Sequence, residues 1–281
     1  MNTLPHPCFI RVRPWLNFLT LLALTACTNV QGKSPSPGSG PTGIANRISN
    51  EKWTSPEKQQ IAIKRWQGAA NGAKNAERPV PILATIETKH TALLVIDMQR
   101  AFLDKGASLE CPEGRSIIPR INKLADAVRK NGGTVIFFRY MVDEQVGLLK
   151  NFETKSYLSG KRESPMTALS KGNPQFEISP ELDVRKDDMI MDKTRYSAVF
   201  GSDIVEVLRE KGIENVILTG VSTDACVGNT AEDLMQSNFN ILMVWDGTAA
   251  LDRLEHEIYL ARIFGLYGDV MPADEVISRL K

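Results

Sequence analysis

Six short apolar runs, separated by longer amphipathic or polar stretches, set the strongest limit on what this chain can fold into. They fall at 92–97, 134–139, 189–192, 215–220, 240–245 and 269–271. Each is dominated by Val, Ile, Leu, Phe or Met and is too short for a stable helix, so each reads as a strand buried on both faces. Helical periodicity marks 116–130, 202–211, 226–236, 253–264 and 273–280, and Gly132, Gly133 and Gly212 punctuate helix exits. Strands and helices that alternate in this way specify parallel strands joined by helical crossovers. The expected fold is α/β, with three layers (α/β/α) around a six-stranded parallel sheet. At 281 residues and 42% hydrophobic, the chain can fill one such domain with short additions to spare.

Three of the strand runs lead into residues that carry chemistry. Leu94-Val95-Ile96 is followed by Asp97, Met189-Ile190-Met191-Asp192 by Lys193, and Thr219-Gly220 by Val221-Ser222-Thr223-Asp224-Ala225-Cys226. Ligands of open parallel sheets bind at the carboxyl ends of the strands, so one cleft would hold Asp97, Lys193 and Cys226. A thiol at a strand-to-helix turn sits among unpaired backbone N–H groups, which favour a thiolate. Those donors also suit the oxyanion formed when a carbonyl is attacked. Cys226 is therefore the candidate nucleophile and Asp97 the candidate base. A carboxylate at the end of an apolar strand is costly unless paired, and Lys193 is its natural partner. Each residue also has a plainer role: Cys226 as a small buried side chain, Asp97 as a cap, Lys193 as a surface cation.

Together these segments resemble the isochorismatase-like cysteine hydrolases, in order and spacing, from residue 91 to the C-terminus. The Cys226 segment most resembles the carbamoyl and ureido amidohydrolase branch, which includes N-carbamoylsarcosine amidase. The resemblance implies hydrolysis of an amide, carbamoyl or ureido C–N bond through a thioester. It also implies a cis peptide at Val221-Ser222, with the Ser222 and Cys226 N–H groups as oxyanion donors, and a homo-oligomer. Nicotinamidases of this superfamily carry a metal-binding Asp/His cluster after the second strand. Here that region reads Phe137-Phe138-Arg139-Tyr140-Met141-Val142-Asp143, without histidine. No metal or cofactor is expected, since His90 and His256 have no ligand spacing. His256 is expected to support the strand ends. Two other readings stand beside this one: a vinyl-ether hydrolase of the isochorismatase type, which needs no thiol, and a lipoprotein that only binds.

Arg139, Arg195 and Tyr196 flank strand ends and are candidates for a substrate carboxylate, or for ordinary salt bridging. Gln99 and Phe102 follow Asp97 and either line the pocket or serve the structure. The polar segment 141–186, with Pro165, Pro174 and Pro180, is too long for a plain connection and is expected to cap the cleft or meet another subunit.

The N-terminus reads as a targeting leader. Arg11 and Arg13 precede an apolar stretch, 15–26, that is too short to span a bilayer. It ends Leu24-Thr25-Ala26-Cys27, which resembles a bacterial lipobox, so Cys27 would be acylated and residues 1–26 removed. Residues 27–54, rich in Gly, Pro and Ser, would form the lipidated N-terminus and a flexible linker. Residues 55–90 form an extension, with a helix from 55 to 67 and an edge strand or arm at 79–88, ahead of the hydrolase domain at 91–281. The expected location is the bacterial cell envelope, facing the periplasm, with membrane contact through lipid only. A formal net charge of +1 and the absence of basic patches exclude a nucleic-acid partner. The two remaining cysteines, Cys111 and Cys226, have a disulfide as their plainer reading.

Overall fold

Strands β1 (Thr91–Ile96), β2 (Thr134–Tyr140), β3 (Met189–Lys193), β4 (Asn215–Val221), β5 (Asn240–Ala249) and β6 (Asp269–Met271) form one sheet. Its order is β3-β2-β1-β4-β5-β6, and every neighbouring pair is parallel. The computed structural model describes residues 60, 64, 67, 82–107, 109–142 and 165–281, all within the unit Lys52–Lys281. The expected leader at 1–26, the expected lipidation site Cys27, the expected linker, most of the expected helix at 55–67 and residues 143–164 of the expected cap lie outside the described residues.

Among the described residues, helices run as α1 (Arg100–Leu103), α2 (Ile118–Lys130), α3 (Ile204–Glu210), α4 (Gly228–Gln236), α5 (Arg253–Arg262) and α6 (Ala273–Arg279). Alternation along the strands sends side chains to two separate layers. Ala92, Leu94 and Ile96 face Leu208 of α3, Leu234 of α4 and Leu260 of α5. Leu93 and Val95 face Ile121 and Leu124 of α2 and Val276 of α6. All of β1 and β4 is buried, which explains their unbroken apolar character. Each fully buried Leu or Ile contributes roughly 2 kcal/mol.

Helix α2 shows how sequence dictates these elements. Pro119 sits in its first turn, and Ile118, Ile121, Leu124, Ala125 and Val128 form its buried stripe. Gly132, at φ 81°, then turns the chain out, and the Gly133 N–H closes on Val128 O at 2.9 Å.

The structure corrects several expected boundaries. The described part of 79–88 is not a strand: it contributes one bridge, Ile86 to Leu280, and a 3-10 turn, Thr88–His90. The cause is local, because the Asp269 carboxylate takes the Ile82 and Leu83 N–H groups at 3.1 and 2.8 Å. Helix 226–236 is entered through a π-turn, Thr223–Val227, and the one at 253–264 ends in another, Ile263–Tyr267. Strand β5 runs on to Ala249 by shifting register against β4.

Strand order reverses between β1 and β4: β1 leads toward β2 on one side and β4 toward β5 on the other. Their loops diverge and leave a crevice at the strand ends. Gly220 makes this close pairing possible. It adopts φ +109°, and a Cβ there would sit 2.0 Å from Ile96 O, beside Asp97. Gly220→Ala should therefore destabilise the protein by at least about 2–3 kcal/mol, measured by urea unfolding.

Candidate active site

Asp97 follows β1 directly, and its N–H continues the ladder by donating to Phe138 O at 3.0 Å. It takes a left-handed turn at φ 52°, a conformation that short polar side chains tolerate. The carboxylate is completely buried. Lys193 ends β3, two strands away, and is paired in register with Tyr140 of β2. Its side chain crosses the Tyr140 ring, with Nζ 4.3 Å from the ring centroid, and reaches Asp97 Oδ2 at 2.8 Å. Nζ also donates to Arg195 O at 3.0 Å. The ion pair is close, yet neither carboxylate oxygen has a well-aligned hydrogen-bond donor. Charge holds Asp97 more than donors do.

Cys226 sits in the π-turn Thr223–Val227, 7% exposed, with Asp97 and Lys193 against its sulfur. Burial pushes the thiol well up; Lys193 pulls it down and Asp97 pushes it up further. Burial also raises the Asp97 carboxyl, more than Lys193 and the thiol lower it. Desolvation here outweighs the turn and the ammonium, the two influences that favour a thiolate. A buried site tolerates one ammonium with one anion, so carboxylate and thiol share a single proton. Moving that proton from sulfur to Asp97 leaves the net charge unchanged.

The turn itself is fixed from below. Thr223 Oγ1 and His256 Nδ1 of α5 are 2.8 Å apart, and burial pushes the His256 imidazole down to about 4. His256 is therefore neutral near pH 7, in the supporting position expected for it. The peptide joining Val221 and Ser222 is cis. The Ala225 and Val227 N–H groups both turn back to Ser222 O.

Cys226 lines a cavity of ≈ 280 Å³ whose walls include Phe102, Tyr140, Leu169, Tyr196 and Leu251. A larger cavity, ≈ 390 Å³, lies on the other side of Leu251 but is not lined by Cys226, Asp97 or Lys193. Of the five candidate substrate-binding residues, Phe102 and Tyr196 line the thiol cavity. The other three are placed elsewhere. Gln99 is fully buried; its Nε2 donates to Tyr140 O and Phe176 O, and its Oε1 accepts from Tyr140 N–H at 2.7 Å. It stitches the Asp97 loop to β2. Arg139 pairs with Asp192 at 2.7 Å and Glu177 at 3.3 Å and lies over the Phe176 ring. Arg195 Nη1 donates to Thr194 O at 2.8 Å, outside the cavity wall.

Glu110, Tyr140, Asp224 and Leu251 are wall residues that sequence reasoning missed. Tyr140 was detectable, since it ends a strand as Lys193 does; Leu251 gave no signal. Cys111 and Cys226 share the cavity as free thiols, so no disulfide joins them. Burial holds Cys111 up at about 11, which makes it a poor nucleophile. Among the described residues, no three His, Cys, Asp or Glu side chains cluster as a metal site.

A protein-family model for the isochorismatase domain matches residues 91–275. The chain belongs to the isochorismatase family. The ureidoacrylate amidohydrolase of Rhizobium rhizogenes is 30% identical over 184 residues, 61% of this chain and 74% of that protein. Among solved structures, a cysteine hydrolase from Pseudomonas syringae pv. phaseolicola superimposes with a TM-score of 0.65 at 25% identity, covering 72% of this chain and 97% of its own. N-carbamoylsarcosine amidase from Thermoplasma acidophilum does so with 0.54 at 26%, covering 66% and 96%. This isochorismatase-family protein is thus a hydrolase with amidohydrolases among its relatives.

Two outcomes follow from the buried groups. Lys193→Met leaves Asp97 without its counter-charge and should cost about 3–5 kcal/mol in urea unfolding near pH 7. For His256, the folded imidazole titrates at about 4 against an ordinary 6.5. Between those values the unfolded chain binds more protons, so this group's contribution is full above 6.5 and is lost as pH falls toward 4. The wild type should lose about 2–3 kcal/mol more than His256→Asn over that interval, read from unfolding midpoints at each pH.

Proposed function

We propose that the protein is a metal-independent cysteine hydrolase that cleaves the C–N bond of a small amide, carbamoyl or ureido compound through a thioester. One observation carries this reading: a fully buried Asp97–Lys193 ion pair lies against the sulfur of Cys226, on the wall of a substrate-sized cavity. A structural ion pair has no need of a thiol beside it.

Reaction begins as the Cys226 proton passes to Asp97 while the sulfur attacks the substrate carbonyl carbon. Lys193 keeps the site neutral and restrains the carboxylate. The oxyanion would be held by the N–H groups of Ser222 and Cys226, the donors that the family resemblance implies. Asp97 returns its proton to the departing nitrogen as the C–N bond breaks, leaving a thioester. Water then attacks the thioester carbonyl, Asp97 takes one proton from it, and the C–S bond breaks. The acid is released and the thiol regains its proton. A carbamoyl substrate yields an amine and carbamate, which decomposes to ammonia and carbon dioxide.

The N-terminal leader, the lipidated Cys27 and the envelope location belong to the same proposal, as does a homo-oligomeric assembly. The enzyme would then work on a tether, its substrate reaching it from the surrounding compartment.

Ammonia release from a panel of amide and ureido compounds tests the chemistry. Cys226→Ala should abolish turnover. Asp97→Asn should lower kcat by about 10²–10⁴-fold and slow alkylation of Cys226 by iodoacetamide. The acid limb of kcat/KM should lie above the ordinary carboxylate value of 3.8, because burial raises Asp97. Full activity in Cys226→Ala would end the proposal.

A further inference from the structure

We infer that the thiol cavity selects by charge, taking neutral or cationic amides and turning away carboxylate-bearing ones, with Glu110 and Asp224 as the determinants. The inference rests on the hydrolase reading and adds a substrate class to it.

Among the described residues, the cavity wall holds two carboxylates, Glu110 and Asp224, and no lysine or arginine. The cations that border the site are engaged elsewhere. Lys193 is 2% exposed and matched by Asp97. Arg139 is shared between Asp192 and Glu177. Arg195 donates to the Thr194 carbonyl outside the wall, and its charge is felt at Tyr140. Among the described residues, an anionic substrate would therefore meet two carboxylates on the cavity wall and no wall guanidinium to receive it.

The two acids retain capacity for a ligand. Glu110 Oε2 accepts the Gly106 N–H at 2.7 Å, and Asp224 Oδ1 accepts from Ser222 Oγ. A carboxylate offers about four acceptor sites, so neither is exhausted. Asp224 acts across the cavity, since its charge helps to raise both Tyr196 and Cys111. The remaining walls suit a cation as well. Phe102, Tyr140 and Tyr196 add aromatic surface to the wall, where Tyr140 already carries the Lys193 ammonium, and aromatic rings attract ammonium and guanidinium groups. Tyr140 and Tyr196 stand 6.2 Å apart, tilted by 43°. A substrate with an apolar body and a neutral or positive end fits these walls; a ureido acid does not.

Two thiol reagents of similar size and opposite charge test this without knowledge of the substrate. Full-length protein would be treated with 2-(trimethylammonium)ethyl and 2-sulfonatoethyl methanethiosulfonate, with labelling of Cys226 followed by peptide mass spectrometry. Relative to a small free thiol, the cation-to-anion rate ratio at Cys226 should rise by about tenfold or more. It should fall in Glu110→Gln and Asp224→Asn and decline with added salt. A ratio no higher than that of the free thiol would overturn the inference, and so would a raised ratio that neither variant changes. A matched series of neutral, ammonium-bearing and carboxylate-bearing amides separates this idea from its parent. Cys226-dependent turnover that favours the carboxylates keeps the hydrolase reading and sinks the charge preference. A raised ratio with no turnover of any amide keeps the charge preference of the cavity and removes the hydrolase reading.

Discussion

The buried pair of Asp97 and Lys193 is the constraint around which the strand ends are arranged. Each charge taken from water costs several kcal/mol, and attraction across 2.8 Å repays this only if the surroundings cooperate. They do so unevenly. Lys193 has the Arg195 carbonyl and the face of Tyr140, while Asp97 has its counter-charge and a thiol. The carboxylate is thus less satisfied than the ammonium. That imbalance leaves Asp97 able to accept a proton, and Cys226 is the group beside it with one to give.

The fold supplies the geometry through its crossing order. Asp97, Lys193 and Cys226 are far apart in sequence, yet β1, β3 and β4 lie within a span of four adjacent strands. Gly220 lets β4 run close beside the end of β1, and His256 ties the Cys226 turn to α5 without carrying charge. Gln99 fastens the loop after Asp97 to β2 and to the Phe176 carbonyl. These contacts hold the reacting groups on rigid elements and leave the walls to longer connections. A family can then keep its chemistry while its cavities diverge.

The walls carry the individuality of this chain. Leu169 comes from the long connection before β3, Leu251 from the turn after β5, and Glu110 and Cys111 from the loop between α1 and α2. The relatives include a ureidoacrylate amidohydrolase, whose substrate is an acid by name. Among the described residues, the charged side chains on this chain's cavity wall are Glu110 and Asp224.

Periodicity alone determined the layers, the six strands and most of the helices, because burial on both faces demands unbroken apolar runs that polar connections cannot imitate. That Asp97, Lys193 and Cys226 would meet was also legible, since they stand at or just beyond the ends of such runs, where an open parallel sheet gathers its ligands. Tertiary structure decided the rest. Only the folded packing shows that desolvation holds Cys226 as a thiol, that Arg139 is spent on Asp192 and Glu177, and that Gln99 is a clamp. It also decided between the edge strand and the arm expected at 79–88, against the strand, because a side-chain carboxylate takes backbone donors that a ladder would need. A sequence fixes which residues reach a strand end. Protonation, pairing and exposure depend on neighbours brought from distant parts of the chain, and no local pattern encodes those distances.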